Sequence, residues 1–270
     1  NFFKNFFFVL KFFFSFLYCI FFIVRKKIDI VFGFGGYVSF PVLFAAKLLR
    51  KKIYLYEPNL VLGRTNKFFL KSCSNIFIKS NKIINIPYKQ KKKFIEVGNI
   101  IREEIINFSV IKKKKENEKI NIIILGGSQG AKVFGEIIPD TILKLSKNKH
   151  KIHVTQQAVK EQLDEIRNFY NKNNISCKLF DFHENIGELI SESDIGITRG
   201  GASTLAELDF FNVPFVVVPY PYATDNHQYH NALYYKLRGS GTLLEQADFT
   251  SNNLLVKLLE ILNNKNDIEV

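Results

Sequence analysis

Short apolar runs alternate with helical stretches of mixed polarity along this chain. Strands are expected at about 28–32, 53–56 and 75–78, with helices near 41–49 and 62–71 between them. A charged, apolar-poor stretch from Ser109 to Lys119 follows. Beyond it, strands are expected near 120–125, 151–155, 177–180, 195–197 and 215–218, each leading into a helical pattern. This alternation predicts an α/β fold with parallel sheets covered on both faces. The charged stretch is the natural linker, so the chain divides into 1–110, a linker at 111–119, and 120–270. At 270 residues it is long enough for two domains with a core each, and it has no repeat of solenoid period.

The strand run Ile120 to Leu125 empties directly into Gly126-Gly127-Ser128-Gln129-Gly130-Ala131 and then a helix. Such a turn presents backbone N–H groups, and the helix macrodipole adds partial positive charge, so phosphate or pyrophosphate is the expected guest. A ligand-free turn of the same form is common, and this one is weak evidence by itself. A second turn agrees with it, because Ile195 to Thr198 runs into Arg199-Gly200-Gly201-Ala202-Ser203-Thr204 and a helix start. Ser203 and Glu207 are four apart and share a face of that helix. A carboxylate there accepts hydrogen bonds only, which suits a ribose diol, although by itself a first-turn Glu offsetting the helix dipole is the stronger reading. Val216 to Val218 ends at Pro219 and Pro221, before a polar loop through Asp225, Asn226, His227, Gln228 and Asn231 that can bind sugar hydroxyls. In the first half, Asp29 to Phe32 leads into Gly33-Phe34-Gly35-Gly36-Tyr37, with a helix from about Pro41.

Composition adds bounds. The net charge of +13 raises nucleic acid or an anionic membrane as partners. The lysine runs Lys91 to Lys93 and Lys112 to Lys115 lack interleaved aromatics and read as solvated loop and linker, which argues against nucleic acid. The absence of Met and Trp, with heavy use of Phe, Ile, Lys and Asn, reads as nucleotide bias. Cys19, Cys73 and Cys177 have no metal-ligand spacing and fit a reducing compartment. His227 and His230 lack further ligands nearby in sequence, so no metal is expected. Phe12 to Val24 is apolar except for Ser15, shorter than the roughly 18 to 20 residues of a membrane-spanning helix. Lys11 precedes it and Arg25-Lys26-Lys27 follow, which leaves three readings: a buried domain helix, a surface-lying helix with basic anchors, and a membrane span or signal sequence.

Six segments in order resemble the MurG family of peptidoglycan glycosyltransferases: GFGGYVSFP at 33–41, EPNLVLGRTNK at 57–67, VGNIIR at 97–102, GGSQGAK at 126–132, TRGGASTLAE at 198–207 and DNHQYHNA at 225–232. The resemblance spans nearly the whole chain. It implies a GT-B fold, two Rossmann-like doubly wound domains facing a cleft. The implied reaction is inverting transfer of N-acetylglucosamine from UDP-N-acetylglucosamine to the undecaprenyl-linked muramyl-pentapeptide, without a cofactor. The implied location is peripheral, on the anionic cytoplasmic face of the bacterial inner membrane. The family has a domain helix where residues 1–24 stand, which favours the buried-helix reading with some of the surface-lying one.

Site residues carry over on the matching motifs. Asn59 is expected to reach the donor sugar, Arg102 and Ser128 to lie near the pyrophosphate, and His183 to stand where the backbone pairs with uracil. Glu207 is expected on the ribose and Gln228 on sugar hydroxyls. Gly126, Gly127, Gly130, Gly201, Ala202, Ser203 and Thr204 form the phosphate loops, and Gly35, Gly36 and Tyr37 face the acceptor. The family's Gly-rich loop with its general-base histidine has no match here and is expected upstream of Asn1, and the family's last helix has no match either. The chain therefore reads as a fragment without an assigned catalytic base, expected to bind donor without normal turnover. A related UDP-sugar glycerolipid glycosyltransferase and a non-catalytic remnant that binds nucleotide or membrane are the alternatives.

Overall fold

A computed structural model describes residues 2–109, 119–127, 132–148 and 151–266, and the chain falls into two units divided between Ile100 and Ile101. The first contains α1 (Phe2–Arg25), β1 (Ile30–Gly33), α2 (Phe40–Leu48), β2 (Lys52–Glu57), α3 (Arg64–Phe69), β3 (Asn75–Ile78) and β4 (Phe94–Glu96). Asn1, ahead of which the general-base histidine is expected, lies outside the described residues. The strands of this unit pair in parallel in the order β1-β2-β3-β4, with Val31 opposite Ile53 and Leu55 opposite Ile76. Val31, Ile53, Leu55, Ile76 and Ile78 form one face and pack with Leu43, Ala45 and Phe69 of the helices.

The other face of that sheet departs from expectation. Ile30, Phe32 and Ile95 are exposed there, and the Phe77 ring stacks on Phe32 at 5.7 Å and on Tyr54 at 6.1 Å. Coverage on both faces requires the strand order to reverse, because right-handed crossovers stepping in one direction set every helix on the same side. Among the described residues this unit has no reversal.

The helix α1 packs one face on the first unit's core, as the buried-helix reading has it, and leaves another exposed. Phe16, Cys19, Ile20 and Ile23 form a stripe against the core, while Phe13, Phe14, Leu17, Tyr18 and Phe21 face outward. Among the residues searched, no helix is long and apolar enough to cross a membrane.

The second unit holds α4 (Glu103–Ser109), β5 (Lys119–Leu125), α5 (Lys132–Ser146), β6 (Lys151–Gln157), α6 (Leu163–Lys172) and β7 (Ser176–Phe180). It continues through α7 (Ile186–Ser191), β8 (Ile195–Thr198), α8 (Ala202–Phe210), β9 (Phe215–Val217), α9 (His227–Leu237), β10 (Gly241–Leu243) and α10 (Ser251–Asn266). Its parallel sheet runs β10-β9-β8-β5-β6-β7. The order reverses at β5 and β8, so helices cover both faces. Ile122 and Ile124 pack with α5, α6 and α10, whereas Ile123 and Leu125 pack with α4, α7, α8 and α9. A strand buried on both sides reads as a continuous apolar run, which is why Ile122 to Leu125 has no polar interruption.

Two further expectations are corrected here. The expected boundary groups residues 101–109 with the first domain, but Ile105 is buried among Ile123, Leu189 and Leu205, and Gly187 leaves room for its side chain. That helix therefore belongs to the second unit, and the break lies ahead of the charged stretch. Residues 110–118 of the expected linker lie outside the described residues, and Lys119 opens β5. The Lys91 to Lys93 run is not simply solvated, since Lys93 Nζ donates to the carbonyls of Leu70, Lys71 and Cys73 at 3.0, 3.0 and 2.6 Å. An ammonium group there satisfies carbonyls that the end of α3 leaves open. Strands β4 and β10 have three residues each, too short to announce themselves by periodicity.

Candidate functional site

Ligands of doubly wound sheets bind beyond the carboxyl ends of the strands, where the order reverses. At that point β5 leads into Gly126 and Gly127, the latter at φ +85°, a left-handed conformation that glycine adopts without strain. Beside it β8 ends at Thr198, whose Oγ1 donates to the Leu125 carbonyl at 3.1 Å and ties the two strand ends together. Gly200 packs so closely on α9 that an added Cβ would lie 2.3 Å from the Gln228 carbonyl oxygen. α8 then starts at Ala202 with Gly201 as its cap and no side chain on its first N–H groups. The two turns open into one cavity of about 720 Å³, lined in part by Gly126, Gly127 and Gly201 to Thr204.

Positive charge faces the same space from Lys132 and Arg199. Arg199 is only 9% exposed, and its guanidinium lies 4.8 Å from the Phe134 ring centre and 5.7 Å from that of Tyr220. Its Nη1 donates to the carbonyls of Val218 and Pro219 at 3.1 and 3.4 Å. Burial pushes its pKa below the usual arginine value, yet a guanidinium remains protonated. Among the described residues no carboxylate neutralises it. A desolvated cation beside the uncapped first turn of α8 suits an anion.

Residues 121–269 match the glycosyltransferase family 28 C-terminal domain, and residues 1–78 match the N-terminal domain of the same family. The chain belongs to glycosyltransferase family 28. Two family 28 relatives carry the name UDP-N-acetylglucosamine–N-acetylmuramyl-(pentapeptide) pyrophosphoryl-undecaprenol N-acetylglucosamine transferase. The one from Pelagibacter ubique (strain HTCC1062) is 40% identical over 90% of this chain and 67% of its own length. The one from Rickettsia canadensis (strain McKiel) is 37% identical over 90% of this chain and 69% of its own. The crystal structure of Acinetobacter baumannii MurG superposes with a TM-score of 0.73 at 25% identity, covering 95% of this chain and 72% of that one. The halves are thus GT-B type, with two parallel-sheet Rossmann-like units.

The family 28 frame shows which expected site residues meet. Gln228 lines the cavity, with Oε1 accepting from the N–H groups of Gly200 at 3.2 Å and Tyr220 at 2.9 Å, so its oxygen is spent on holding two loops. Ser128 and Gly130 lie outside the described residues. Glu207 is 6% exposed on α8 and is bonded to Arg102, Nη2 to Oε1 at 3.0 Å. Arg102 is expected beside the pyrophosphate, but its guanidinium goes to the Glu207 carboxylate, and neither residue lines the cavity. Burial pushes the Glu207 carboxyl above its usual pKa, and the Arg102 charge opposes that shift. His183 follows β7 and does not line the cavity either. Its Nδ1 accepts from the Asn185 N–H at 3.1 Å, and its ring lies 5.5 Å from that of Phe180.

In the first unit, Asn59 is held by Glu57, which is 2% exposed. Glu57 Oε1 accepts from Asn59 N and Nδ2 at 3.1 and 3.0 Å, and Oε2 accepts from Gly63 N and Asn66 Nδ2, both at 2.8 Å. A buried carboxylate fed by four N–H donors fixes the loop. Gly35 and Gly36 stand at φ +75° and +72°, and their carbonyls accept from Ser39 Oγ and Thr65 Oγ1 at 2.6 and 2.9 Å. Tyr37 beside them is exposed.

Sequence reasoning passed over Arg199, Lys132, Tyr220, Gln246 and Glu57. Arg199, Lys132 and Glu57 lie inside quoted motifs, and a basic residue beside a glycine turn was the available signal. Tyr220 and Gln246 carried none.

Proposed function

We propose that this chain transfers N-acetylglucosamine from UDP-N-acetylglucosamine to the lipid-linked muramyl-pentapeptide, the reaction for which its family 28 relatives are named. The observation that carries the donor half of this reading is Arg199, a buried cation with no carboxylate partner among the described residues, set between two glycine turns in a cavity of the second unit. The chemistry is an inverting displacement at the anomeric carbon. An acceptor hydroxyl forms the new C1–O bond, the bond from C1 to the phosphate oxygen breaks, and UDP leaves with the electron pair. Charge grows on the departing diphosphate, where Lys132, Arg199 and the first N–H groups of α8 stabilise it without reorganisation. The acceptor proton passes to a base that we do not assign to a described residue. Glu207 reads the ribose diol in this scheme once Arg102 yields one of its oxygens.

We further place the protein at an anionic membrane surface, on the cytoplasmic side. The outward aromatic face of α1, with Phe14 and Tyr18 each about two thirds exposed at 65% and 66%, ends in Arg25, Lys26 and Lys27. That pairing of apolar face and basic end suits an interfacial helix. The three thiols are free, which fits a reducing compartment. Calorimetric titration with UDP-N-acetylglucosamine and UDP-glucose tests the donor reading. Selective binding of the first supports it, equal or reversed preference favours a different UDP-sugar enzyme, and no binding by a folded chain overturns it.

A further inference from the structure

The glycine turns account for the anion end of the cavity and leave its other end unread. From the centre of the sheet the cavity continues toward β9 and β10, where Tyr220, Gln228 and Gln246 line it, and none of the described lining residues comes from β6 or β7. Among the described residues, two lining side chains carry an amide carbonyl, Gln228 and Gln246. The Gln228 oxygen is taken by two backbone N–H groups. The Gln246 Oε1 is closed off from solvent and meets no donor among the described residues. A carbonyl that has lost water and gained no partner is in an unfavourable state.

Gln246 stands just beyond β10, which is anchored to the sheet through Leu244, whose N–H donates to the Val217 carbonyl at 2.9 Å. The backbone is therefore fixed while the oxygen has no donor among the described residues. Turning the carboxamide into the cavity breaks no hydrogen bond of that oxygen and offers it a donor.

We propose that Gln246 reads the sugar of the nucleotide-sugar donor, its Oε1 accepting from a hydroxyl or amide N–H of the group attached to the diphosphate. The inference rests on the reading of this cavity as the donor site. With the diphosphate over the β5 and β8 turns, one end of the donor must extend along the β9 and β10 side. A hexose carries a donor hydroxyl on most of its carbons and so suits a single acceptor that can swing. Gln228, whose oxygen is occupied, keeps only its Nε2 N–H donors for the same ligand, so the acceptor of the two carboxamides is the Gln246 oxygen.

The test compares the wild-type chain with Gln246→Met in calorimetric titrations against UDP and against UDP-N-acetylglucosamine, with thermal unfolding of each free protein alongside. Methionine keeps length and volume but removes the acceptor. The variant should bind UDP like the wild type and UDP-N-acetylglucosamine about tenfold more weakly. Its Tm should be equal or higher, since the oxygen it lacks had no bond to lose. Equal weakening for both ligands puts Gln246 on the nucleoside or the phosphates and overturns the assignment, as does unchanged affinity for the sugar nucleotide. Should the Met variant fail to fold, Gln246→Asn, which keeps polarity and loses reach, is judged by the same pair of ligands. A folded wild-type chain that binds neither ligand defeats the donor-site reading and this inference together. Wild-type binding of both, with no selective loss in the variant, defeats this inference alone.

Discussion

Arg102 Nη2 lies 3.0 Å from Glu207 Oε1, joining residues 105 positions apart, with the carboxylate side chain 8% exposed and the guanidinium side chain 54% exposed. The pair is asymmetric: Glu207 has given up its water, and Arg102 has kept much of its own. Removing Arg102 therefore leaves a buried charge, whereas removing Glu207 leaves a solvated one.

Arg102→Met should destabilise the second unit by about 1 kcal/mol at pH 8, discounted from the buried-pair range because Arg102 is half in solvent. The pH dependence follows from the raised Glu207 pKa. The folded state holds that proton more tightly than the unfolded chain, so the stability it contributes is present below the ordinary carboxyl pKa and is lost as pH rises through the folded value. Without Arg102 the folded pKa rises further. The Tm deficit of the variant should thus be largest at pH 8 and shrink toward about pH 4.5, near the ordinary carboxyl value, and a deficit independent of pH would count against the pair as its cause.

Glu207→Ala should weaken binding of UDP-N-acetylglucosamine by about 1 to 3 kcal/mol if two charge-assisted bonds to the ribose are lost. The comparison with a 2′,3′-dideoxyribose analogue of UDP decides it. A variant that distinguishes the two ligands as well as the wild type does would take Glu207 out of the site.

Arg199→Met should lower affinity for UDP by roughly ten- to a hundredfold, the range of a buried charge-assisted contact. Arg199→Lys should fall short of full recovery, because an ammonium cannot stack between Phe134 and Tyr220 while donating in a fixed plane to Val218 and Pro219. Titration of all three proteins with UDP reads this directly. Wild-type affinity in the Met variant would mean that the buried cation serves the fold alone.

Lys93→Met should cost about 1 to 2 kcal/mol in urea unfolding of the first unit, since three carbonyls lose a charged donor at once. UDP affinity, which the proposed donor site gives to the second unit, should not move. A stability change within about 0.3 kcal/mol would show that water replaces the ammonium at no loss.

Co-sedimentation with vesicles tests the membrane face. The wild-type chain should bind phosphatidylglycerol vesicles more tightly than phosphatidylcholine ones, with binding weakened by salt. Phe14→Glu with Tyr18→Glu should reduce binding to the anionic vesicles at least about fivefold at equal net folding, because an apolar face then carries two charges. Equal binding of variant and wild type would remove α1 from the interface.

The sequence by itself determined the local elements and the two glycine turns. The apolar run Ile120 to Leu125, emptying into glycines, reads as a strand, and β5 is that strand. Six motifs in order were enough to identify the family. Only the tertiary structure decided what depends on strand order and on neighbours far along the chain. Reversal at β5 and β8 covers both faces of one sheet, and its absence among the described residues of the first unit leaves Ile30 and Phe32 in the open. Arg199 became a buried cation, without a carboxylate partner among the described residues, only once α5 and the Val218–Pro219 carbonyls closed around it. Arg102 was drawn from the expected phosphate to Glu207, and Gln246 lost its water without gaining a partner among the described residues. Local pattern encodes backbone conformation, which neighbours in sequence fix. Desolvation and charge pairing depend on which distant residues arrive at the same place, and that is settled only when the sheet assembles.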